Sequence, residues 1–497
     1  MPAPPFRRLL VANRGEIAVR VIRACRELGI VPIAIHSDAD VDALHVRLAD
    51  RSERVGPPAA RDSYLSVDAV VDAARRSGAE AIHPGYGFLS EDAAFARAVE
   101  EAGLAFVGPP PSVLEALGNK LSARRSAAEA GVPIVPGTTV ALEDDADAVA
   151  GIGYPVMLKA AAGGGGRGMR RVDEATALRP AMEAARREAA AAFGDGTIYV
   201  ERLVSPARHV EVQLLGDRHG NLAVLGERDC SVQRRHQKLV EESPSLAVDD
   251  ATREALFDSA RRVAGTVDFH NAATVEFLVA DDGSHYFLEM NTRLQVEHGV
   301  SELVTGIDLV AWQIRIAAGE RLPQEIVEAP RHGHAIEVRI YAEDPYDGFR
   351  PTAGRIGAWV MPAGPGVRVD GGVEADTHLR SEYDPLLAKL MVHADDRPAA
   401  IDRLRRALDE TLVGGLQTDA GFLRWLVDDP AFVAGGYDTS LIEARWRNGP
   451  SLSAEDRGLA ALAATAARRE APRPPSTLSA TRGSAWGELG RREALRE

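Results

Sequence analysis

The sequence predicts an α/β (α+β) protein of several domains, and three observations support this prediction. The chain opens with a strand–helix–strand pattern, a strand ending in lysine meets a glycine-rich loop near residue 160, and alternating β-runs dominate residues 205–300. Its 497 residues suffice for two to four domains with a substantial core. The 45% hydrophobic and 26% charged residues are typical of a globular enzyme.

The first of these patterns is Rossmann-like. A strand at Arg8–Ala12 is followed by apolar residues at helical spacing, by Gly29 as a helix-ending glycine, and by a second strand at Val31–Ile35. The apolar positions of the helix are Ile17, Val21, Cys25 and Leu28. The turn at residues 13–16 lacks the three glycines of a dinucleotide site, so NAD binding is not expected. Farther on, Ser90 is expected to cap a helix that carries Glu91 and Asp92 in its first turn.

Composition excludes several classes of function. A net charge of −15 makes a general nucleic-acid binder a poor fit. No run of about 18 apolar residues predicts a membrane span, and the N-terminus does not resemble a signal peptide. The two cysteines form neither a disulfide framework nor a zinc pattern, which fits a reducing cytoplasm. Cys25 is expected in the core, and a catalytic thiol at Cys230 is a minor alternative.

Lysine is rare in this chain. Of the 58 basic residues only Lys120, Lys159, Lys238 and Lys389 are lysines, which leaves 54 arginines. A lysine retained among so many arginines indicates a place that needs a compact ammonium group rather than a planar guanidinium. Local context supports this reading for the first three, whereas we attribute Lys389 to chance.

A phosphate-binding loop is predicted after Lys159. This lysine ends a strand and leads into Gly163–Gly166, whose backbone N–H groups can approach phosphate oxygens without Cβ clashes. The order differs from a P-loop, in which the lysine follows the glycines. The alternative is a flexible surface loop.

A pair of carboxylates is predicted on the hairpin formed by residues 273–280 and 284–290. If Asp282 and Gly283 form a two-residue turn, Glu276 lies opposite Glu289, and Asn291 shares the face of Glu289. Opposed like charges destabilise a hairpin, and a bound divalent cation would remove the conflict. Oxygen ligands without His or Cys suit Mg²⁺. The alternative is an exposed face with two solvated glutamates.

Two further stretches are dense in polar groups. Glu227–Lys238 contains one of the four lysines, and a solvated loop is its alternative. In extended geometry Arg293, Gln295 and Glu297 would share a face, where an arginine and a carboxylate could bind an oxyanion and accept a proton. A structural ion pair explains the same pattern equally well.

Together these stretches resemble the biotin carboxylases, the ATP-grasp branch of the biotin-dependent carboxylases. The resemblance covers roughly residues 6–446. The motifs that carry it are Arg8–Ala18, His83–Glu91, Gly163–Met169, Glu227–Lys238 and Glu289–His298. It implies a Rossmann-like N-terminal domain (1–120), an ATP-grasp domain (121–333) with a mobile glycine-rich lid at about 132–204, and a biotin carboxylase C-terminal domain (334–446). An Ala/Arg/Pro-rich tail or linker (447–497) would follow, either docking a partner or disordered.

The resemblance also implies roles for individual residues. The nucleotide would be bound by Lys120, Lys159, the lid residues Gly165 and Gly166, the hinge residues Glu201, Arg202, Leu203 and Val204, and by His209, Gln233 and His236. Mg²⁺ or Mn²⁺ would be held by Glu276, Glu289 and Asn291. Bicarbonate would be surrounded by Lys238, Arg293, Gln295 and Val296. Glu297 resembles the general base, and Arg339 the residue that meets the biotin ureido oxygen.

The implied activity is the carboxylation of biotin on a separate carrier protein by ATP and bicarbonate, as the first half-reaction of an acetyl-CoA or acyl-CoA carboxylase. Implied partners are a biotin carboxyl carrier protein, a carboxyltransferase subunit and a second copy in a homodimer. Alternatives are another ATP-grasp ligase that joins a carboxylate to an amine, and a non-catalytic nucleotide-binding subunit. Three positions depart from the family: Arg202 for Lys, Asn119 for Asp, and Gly299, which replaces a proline and could loosen the segment carrying Glu297.

Overall fold

The computed structural model describes residues 4–138, 149, 151–161, 169–446 and 449. The predictions about Gly165 and Gly166, and about the 447–497 tail apart from residue 449, lie outside the described residues. Among the described residues, no helix is long and apolar enough to cross a membrane.

The N-terminal part is built on a parallel five-stranded sheet, as the opening strand–helix–strand pattern predicts. Its strand order is β3-β2-β1-β4-β5, with the chain's first strand in the middle. Gly29 follows Leu28, the C-cap of the first helix, and has φ +73°, a conformation that favours glycine. The elements are β1 (Arg8–Val11), α1 (Gly15–Glu27), β2 (Val31–Ser37), α2 (Leu44–Leu48), β3 (Arg51–Gly56), α3 (Val67–Ser77), β4 (Ala81–His83), α4 (Ala93–Glu101), β5 (Ala105–Phe106), α5 (Pro111–Gly118) and α6 (Lys120–Glu129).

The expected cap at Ser90 is wrong. Helix α4 begins at Ala93, and its N-cap is Asp92, whose side chain accepts a hydrogen bond from the backbone N–H of Phe95 at 2.9 Å. Ser90 and Glu91 lie in the preceding turn. Glu91 is therefore free to reach another part of the molecule.

A small antiparallel sheet, in the order β7-β6-β8, carries Lys159 and Glu201. It is covered by one helix, and its apolar face is buried. The elements are β6 (Val156–Ala160), β7 (Arg170–Val172), α7 (Leu178–Phe193) and β8 (Ile198–Arg202).

The largest sheet has eight strands in the order β13-β12-β9-β10-β11-β14-β21-β19. It is continuous across residues 333 and 334, because β11 pairs with β14. Its central strands are buried on both faces, so the alternation seen in His209–Leu214 does not separate buried from exposed residues. The hairpin predicted at residues 217–220 is present between β9 and β10. The strands are β9 (Ala207–Gly216), β10 (Leu222–Arg234), β11 (Gln237–Ser243), β12 (Asn271–Ala280), β13 (His285–Asn291), β14 (His334–Tyr341), β19 (Val367–Gly371) and β21 (Leu386–Ala394).

Helices and short strand pairs complete the fold around this sheet. The helices are α8 (Asp250–Ala264), α9 (His298–Thr305), α10 (Leu309–Ala317), α11 (Gln324–Val327), α12 (Arg397–Glu410), α13 (Ala420–Leu426), α14 (Pro430–Ala434) and α15 (Leu441–Arg445). The short strands are β15 (Glu343–Asp344), β16 (Arg350–Pro351), β17 (Gly354–Arg355), β18 (Ala358–Val360), β20 (His378–Leu379) and β22 (Leu412–Gly414). One buried cluster joins α1, α10 and the large sheet through Val21, Ile314 and Leu215, which seats the N-terminal part against this sheet.

Candidate active site

The hairpin of β12 and β13 places two carboxylates opposite each other. Glu276 and Glu289 are paired positions, as the sequence predicts. The predicted two-residue turn is nevertheless wrong, because Ala280 pairs with Ser284 around the three residues Asp281, Asp282 and Gly283. That turn alone would shift the register by one residue. A bulge at Leu288 restores it, since Phe277 pairs with Phe287 while Glu276 pairs with Glu289.

Lys238 lies at the centre of the carboxylate cluster. Its ammonium donates to Glu211 Oε2 at 2.5 Å, to Glu297 Oε1 at 2.7 Å and to Glu276 Oε1 at 3.0 Å. Burial alone lowers the pKa of Lys238, but these three carboxylates raise it well above its ordinary value. The site therefore holds a fixed positive charge among three acidic groups.

Glu297 bridges Lys238 and Arg339. Its second oxygen, Oε2, accepts from Arg339 Nη2 at 2.9 Å, and the same nitrogen lies 2.5 Å from Glu241 Oε1. Burial alone raises the pKa of Glu297, but Lys238, Arg339 and Arg228 hold it well below its usual range. Burial raises the pKa of Glu241 to about 7, even though Arg339 lowers it. Of the two carboxylates on this arginine, Glu297 is thus the more firmly ionised.

The segment that follows β13 is not extended throughout, contrary to the prediction. Glu297 lies in a turn as the residue before α9, with φ −81° and ψ 14°. Arg293 still meets Gln295, donating to its Oε1 at 3.0 Å, and it donates to Glu91 Oε2 at 2.8 Å. A turn rather than a flat strand therefore brings Arg293 and Glu297 to the same site.

Lys120 and Lys159 converge from two different elements. Lys120 begins α6, whose N-cap is Asn119, and its ammonium lies 2.6 Å from Glu289 Oε2. Lys159 lies in β6 with its ammonium 2.5 Å from Glu201 Oε2. Glu201 is almost fully buried and also accepts from Arg124 Nη1 at 2.6 Å. Both lysines are thus positioned by carboxylates.

Three further predicted residues gather beside these lysines. His209 Nε2 lies 3.0 Å from Glu276 Oε2. His236 lies in the turn between β10 and β11, and burial lowers its pKa, as does the nearby charge of Lys159. Gln233 is buried close to that turn. The hinge residues Arg202, Leu203 and Val204 line a cleft of about 380 Å³ with residues 280–282 and Tyr286.

The proposed metal ligands fit a divalent cation by their chemistry. Glu276 and Glu289 supply carboxylate oxygens, which suit Mg²⁺. The Asn291 Nδ2 donates to Glu276 Oε1 at 2.9 Å and to Glu289 Oε1 at 3.5 Å, while its Oδ1 accepts from Arg293 Nη2 at 3.0 Å. Lys120 and Lys238 also neutralise these glutamates, so a cation is not needed to relieve the opposition of charges. The argument for a metal therefore rests on the two neighbouring carboxylates, and the site stays a prediction.

Sequence reasoning missed a second set of charged residues that holds the first in place. Arg228 is fully buried and bonds Glu211 at 2.5 Å, Gln213 at 2.7 Å, Ser301 at 2.9 Å and Thr274 at 3.1 Å. Glu211 in turn binds Lys238. The available signal was the row of polar residues spaced by two along the strand, at His209, Glu211 and Gln213. This signal is ambiguous in the sequence. A polar face that is buried inside the protein has the same pattern as a polar face exposed to solvent.

Four minor expectations, about Cys25, Cys230, Gly299 and Lys389, have clear outcomes. Cys25 and Cys230 are both free and buried. Burial raises the pKa of the Cys230 thiol well above its ordinary value, which argues against a thiolate nucleophile. Gly299 does not leave a gap before α9, because the sulfur of Met391 lies where its Cβ would be. The reading of Lys389 as a chance lysine is wrong, since its side chain is completely buried and bonded to the site.

The chain matches known proteins along most of its length. Three family models match in succession: "Biotin carboxylase, N-terminal domain" over residues 5–114, "Carbamoyl-phosphate synthase L chain, ATP binding domain" over 119–325, and "Biotin carboxylase C-terminal domain" over 337–444. A biotin carboxylase of Halalkalibacterium halodurans is 50% identical over 440 residues, covering 88% of this chain and 97% of that protein. The alpha subunit of mitochondrial methylcrotonoyl-CoA carboxylase from Oryza sativa is 49% identical, covering 89% of this chain and 60% of that protein.

Solved structures give the same result. The biotin carboxylase domain dimer of Hydrogenobacter thermophilus 2-oxoglutarate carboxylase, in complex with MgADP, ADP and bicarbonate, superposes with a TM-score of 0.87 at 44% identity. That match covers 90% of this chain and 99% of the solved one. The predicted architecture of Rossmann-like, ATP-grasp and C-terminal domains is confirmed by these matches. Because half of the 440 aligned residues are identical to a biotin carboxylase, over 97% of the length of that relative, this chain belongs to the biotin carboxylase family.

Proposed function

We propose that this chain uses MgATP and bicarbonate to carboxylate biotin carried on a separate protein. The observation that carries the proposal is the position of Glu297 between Lys238 and Arg339, at 2.7 Å and 2.9 Å. Glu297 is a buried, ionised carboxylate between two cations, and Arg293 lies four residues before it. This arrangement combines a proton acceptor with an oxyanion site. Bicarbonate needs both groups.

Glu297 would take the bicarbonate proton as the bicarbonate oxygen attacks the γ-phosphorus of ATP. With its pKa held far below neutral, Glu297 is a weak base in this arrangement. Binding of anionic bicarbonate at Lys238 and Arg293 would draw cationic charge away from Glu297 and raise its basicity. Substrate binding thus prepares the base at the moment it is needed.

Lys120, Lys159 and Lys238 would neutralise charge on the phosphoryl group during its transfer. Glu276, Glu289 and Asn291 would hold Mg²⁺ or Mn²⁺, which supplies additional charge neutralisation at the phosphate oxygens. The products are ADP and carboxyphosphate, and the latter releases CO₂ and phosphate. The glycine-rich lid that follows Lys159 would exclude water from this reactive intermediate.

Arg339 would then act on biotin. When the phosphate released from carboxyphosphate takes the proton of biotin N1, negative charge develops on the ureido oxygen, and the Arg339 guanidinium can donate to that oxygen. The nitrogen captures CO₂ to give carboxybiotin. Because Arg339 also contacts Glu297, the biotin and bicarbonate sites are electrostatically joined.

A carboxylate–amine ligase of the ATP-grasp type is the second candidate. It shares the phosphate lysines and the metal ligands. A carboxylate substrate has already lost its proton at neutral pH, whereas bicarbonate still carries one, so a base beside the oxyanion arginine favours bicarbonate. The decisive experiment measures phosphate release from ATP with and without bicarbonate and free biotin. Release that needs bicarbonate and rises with biotin supports our proposal, and release driven by other carboxylates with amines contradicts it.

The finer assignments form part of the same proposal. The domain limits are 1–120, 121–333 with the lid at about 132–204, and 334–446, supported by family matches that end close to these positions. The partners are a biotin carboxyl carrier protein, a carboxyltransferase subunit and a second copy of this chain. A cytoplasmic location is supported by two unpaired cysteines.

A further inference from the structure

Lys389 is a buried lysine next to the proposed site and outside every role given above. It lies in β21, where it is the paired position of Arg339 in β14 and of Asp370 in β19. Its side chain has no exposed surface. The ammonium donates to the backbone carbonyl of Val296 at 2.6 Å, one residue before Glu297.

The same ammonium joins three parts of the molecule. Lys389 belongs to the C-terminal part and Val296 to the middle part, while Glu16, whose Oε1 lies 3.6 Å away, is in the first turn of α1. Glu16 is itself held by the hydroxyl of Tyr86. Burial alone lowers the pKa of Lys389, but Glu16, Glu337 and Asp370 raise it above its ordinary value, so the group stays charged.

We propose that Lys389 is a positioning residue that fixes the Val296–Glu297 peptide and thereby aims the Glu297 carboxylate at bicarbonate. The peptide group is planar, so anchoring the Val296 carbonyl also sets the direction of the Glu297 N–H and Cα. Glu297 sits in a turn rather than in a strand ladder, and it therefore needs such an external anchor. This inference rests on the proposed function, because it assigns Lys389 to the base of that reaction.

The neighbourhood explains why the anchor is a lysine. The sulfur of Met391 fills the space beside Gly299 in α9. The Lys389 side chain, in β21, has no exposed surface. A guanidinium carries more atoms than an ammonium and presents its donors in a plane. An arginine here would retain the charge but push the Val296 carbonyl away.

The test compares three variants of the full chain. Lys389→Met removes the donor, and Lys389→Arg keeps the charge while changing its shape. Leu390→Ala, in the hydrophobic core on the other face of β21, is the matched control for a purely structural loss. Each is measured by thermal unfolding, by ATP binding and by bicarbonate-dependent phosphate release.

We expect both Lys389 variants to raise the KM for bicarbonate and lower kcat by about tenfold or more, because a small misplacement of a reacting group is costly. Their affinity for ATP should stay within about twofold of the wild type, since the proposed phosphate lysines are untouched. Leu390→Ala should lower the unfolding temperature and leave the KM for bicarbonate unchanged. If Lys389→Met does not fold, Lys389→Arg decides the matter, because its charge is retained.

A folded Lys389 variant with the wild-type KM for bicarbonate and wild-type kcat would overturn the inference. A Leu390→Ala variant that raises the KM for bicarbonate as much as the Lys389 variants do would also overturn it. A wild-type chain without bicarbonate-dependent phosphate release would instead overturn the proposed function and the inference with it.

Discussion

At the scale of single residues, the site consists of carboxylates that are each held by a cation. Glu276 is bound by Lys238, Glu289 by Lys120 and Glu201 by Lys159. Carboxylates positioned in this way need little reorganisation when substrate arrives, which is the main requirement for electrostatic catalysis. Substitutions that remove one charge should therefore affect the reaction more than the fold.

The metal pair offers the first prediction. Glu276→Gln and Glu289→Gln should each abolish turnover at ordinary Mg²⁺ concentrations, because an amide is a weaker ligand than a carboxylate. Circular dichroism should still show a folded chain, since the amide oxygen of each glutamine can accept from the same lysine. Full activity in both variants would refute the metal assignment.

The oxyanion site offers the second prediction. Lys238→Gln and Glu297→Gln should lose bicarbonate-dependent phosphate release and keep ATP binding, because Lys120 and Lys159 remain. Arg339→Ser should lose more carboxybiotin formation than phosphate release, since it acts on biotin but also contacts Glu297. Paired assays of phosphate and carboxybiotin measure both. Equal losses in Arg339→Ser would contradict this division of roles.

At the scale of elements, the pairing of β11 with β14 brings side chains of the ATP-grasp part into contact with side chains of the C-terminal part. Glu242 in β11 is buried against His334 of β14 at 2.6 Å and Arg397 at the start of α12 at 2.6 Å. Burial alone raises the pKa of Glu242, but His334 and Arg397 lower it to about 2. This carboxylate thus ties two strands and a helix together while it is ionised.

The third prediction follows from that shift. A carboxylate with a lowered pKa in the folded state stabilises the fold above its unfolded pKa and loses this effect as pH falls through the folded value. Glu242→Gln should therefore lower the free energy of unfolding at pH 7 by about 3 kcal/mol. The difference from the wild type should shrink between about pH 4.5 and pH 2. Calorimetric unfolding temperatures across this range check it, and a difference that does not change with pH would count against it.

Some features of the helices and strands could be predicted from the sequence, and others could not. The Rossmann-like start and the opposition of Glu276 to Glu289 follow from periodicity and pairing. The three-residue turn and the bulge at Leu288 do not, because a turn error and a compensating bulge leave the same final register. Similarly, Glu297 was expected in extended backbone, but local pattern cannot show that a turn precedes α9.

Contacts between residues that are far apart in the sequence were the least predictable. Arg293 meets Glu91 and Arg339 meets Glu241 only because separate parts of the chain fold together. Lys389 illustrates this best. An isolated lysine in an apolar strand carries no signal until the neighbouring strands, with Arg339 and Asp370, are known.

At the scale of the whole molecule, the four lysines are all used inside the protein. Their side chains are 22%, 14%, 12% and 0% exposed for Lys120, Lys159, Lys238 and Lys389. Biotin is attached to an accessible lysine, and none of these four lies on an exposed hairpin tip. This 497-residue polypeptide should therefore not be biotinylated itself.

The fourth prediction is tested by expressing the chain with a biotin ligase and probing with labelled streptavidin. A carrier protein expressed alongside serves as the positive control. We expect signal on the carrier only. Covalent biotin on this polypeptide would contradict the prediction, and mass spectrometry would identify the modified lysine.

We infer that this chain carboxylates biotin with Glu297 as the base. The most direct test of this inference follows isotope-labelled bicarbonate into carboxybiotin in the presence of MgATP, with Glu297→Gln as the matched control. We expect labelled carboxybiotin to form only when ATP and the wild-type Glu297 carboxylate are both present. No label in biotin with the wild-type chain, or equal labelling with Glu297→Gln, would contradict it.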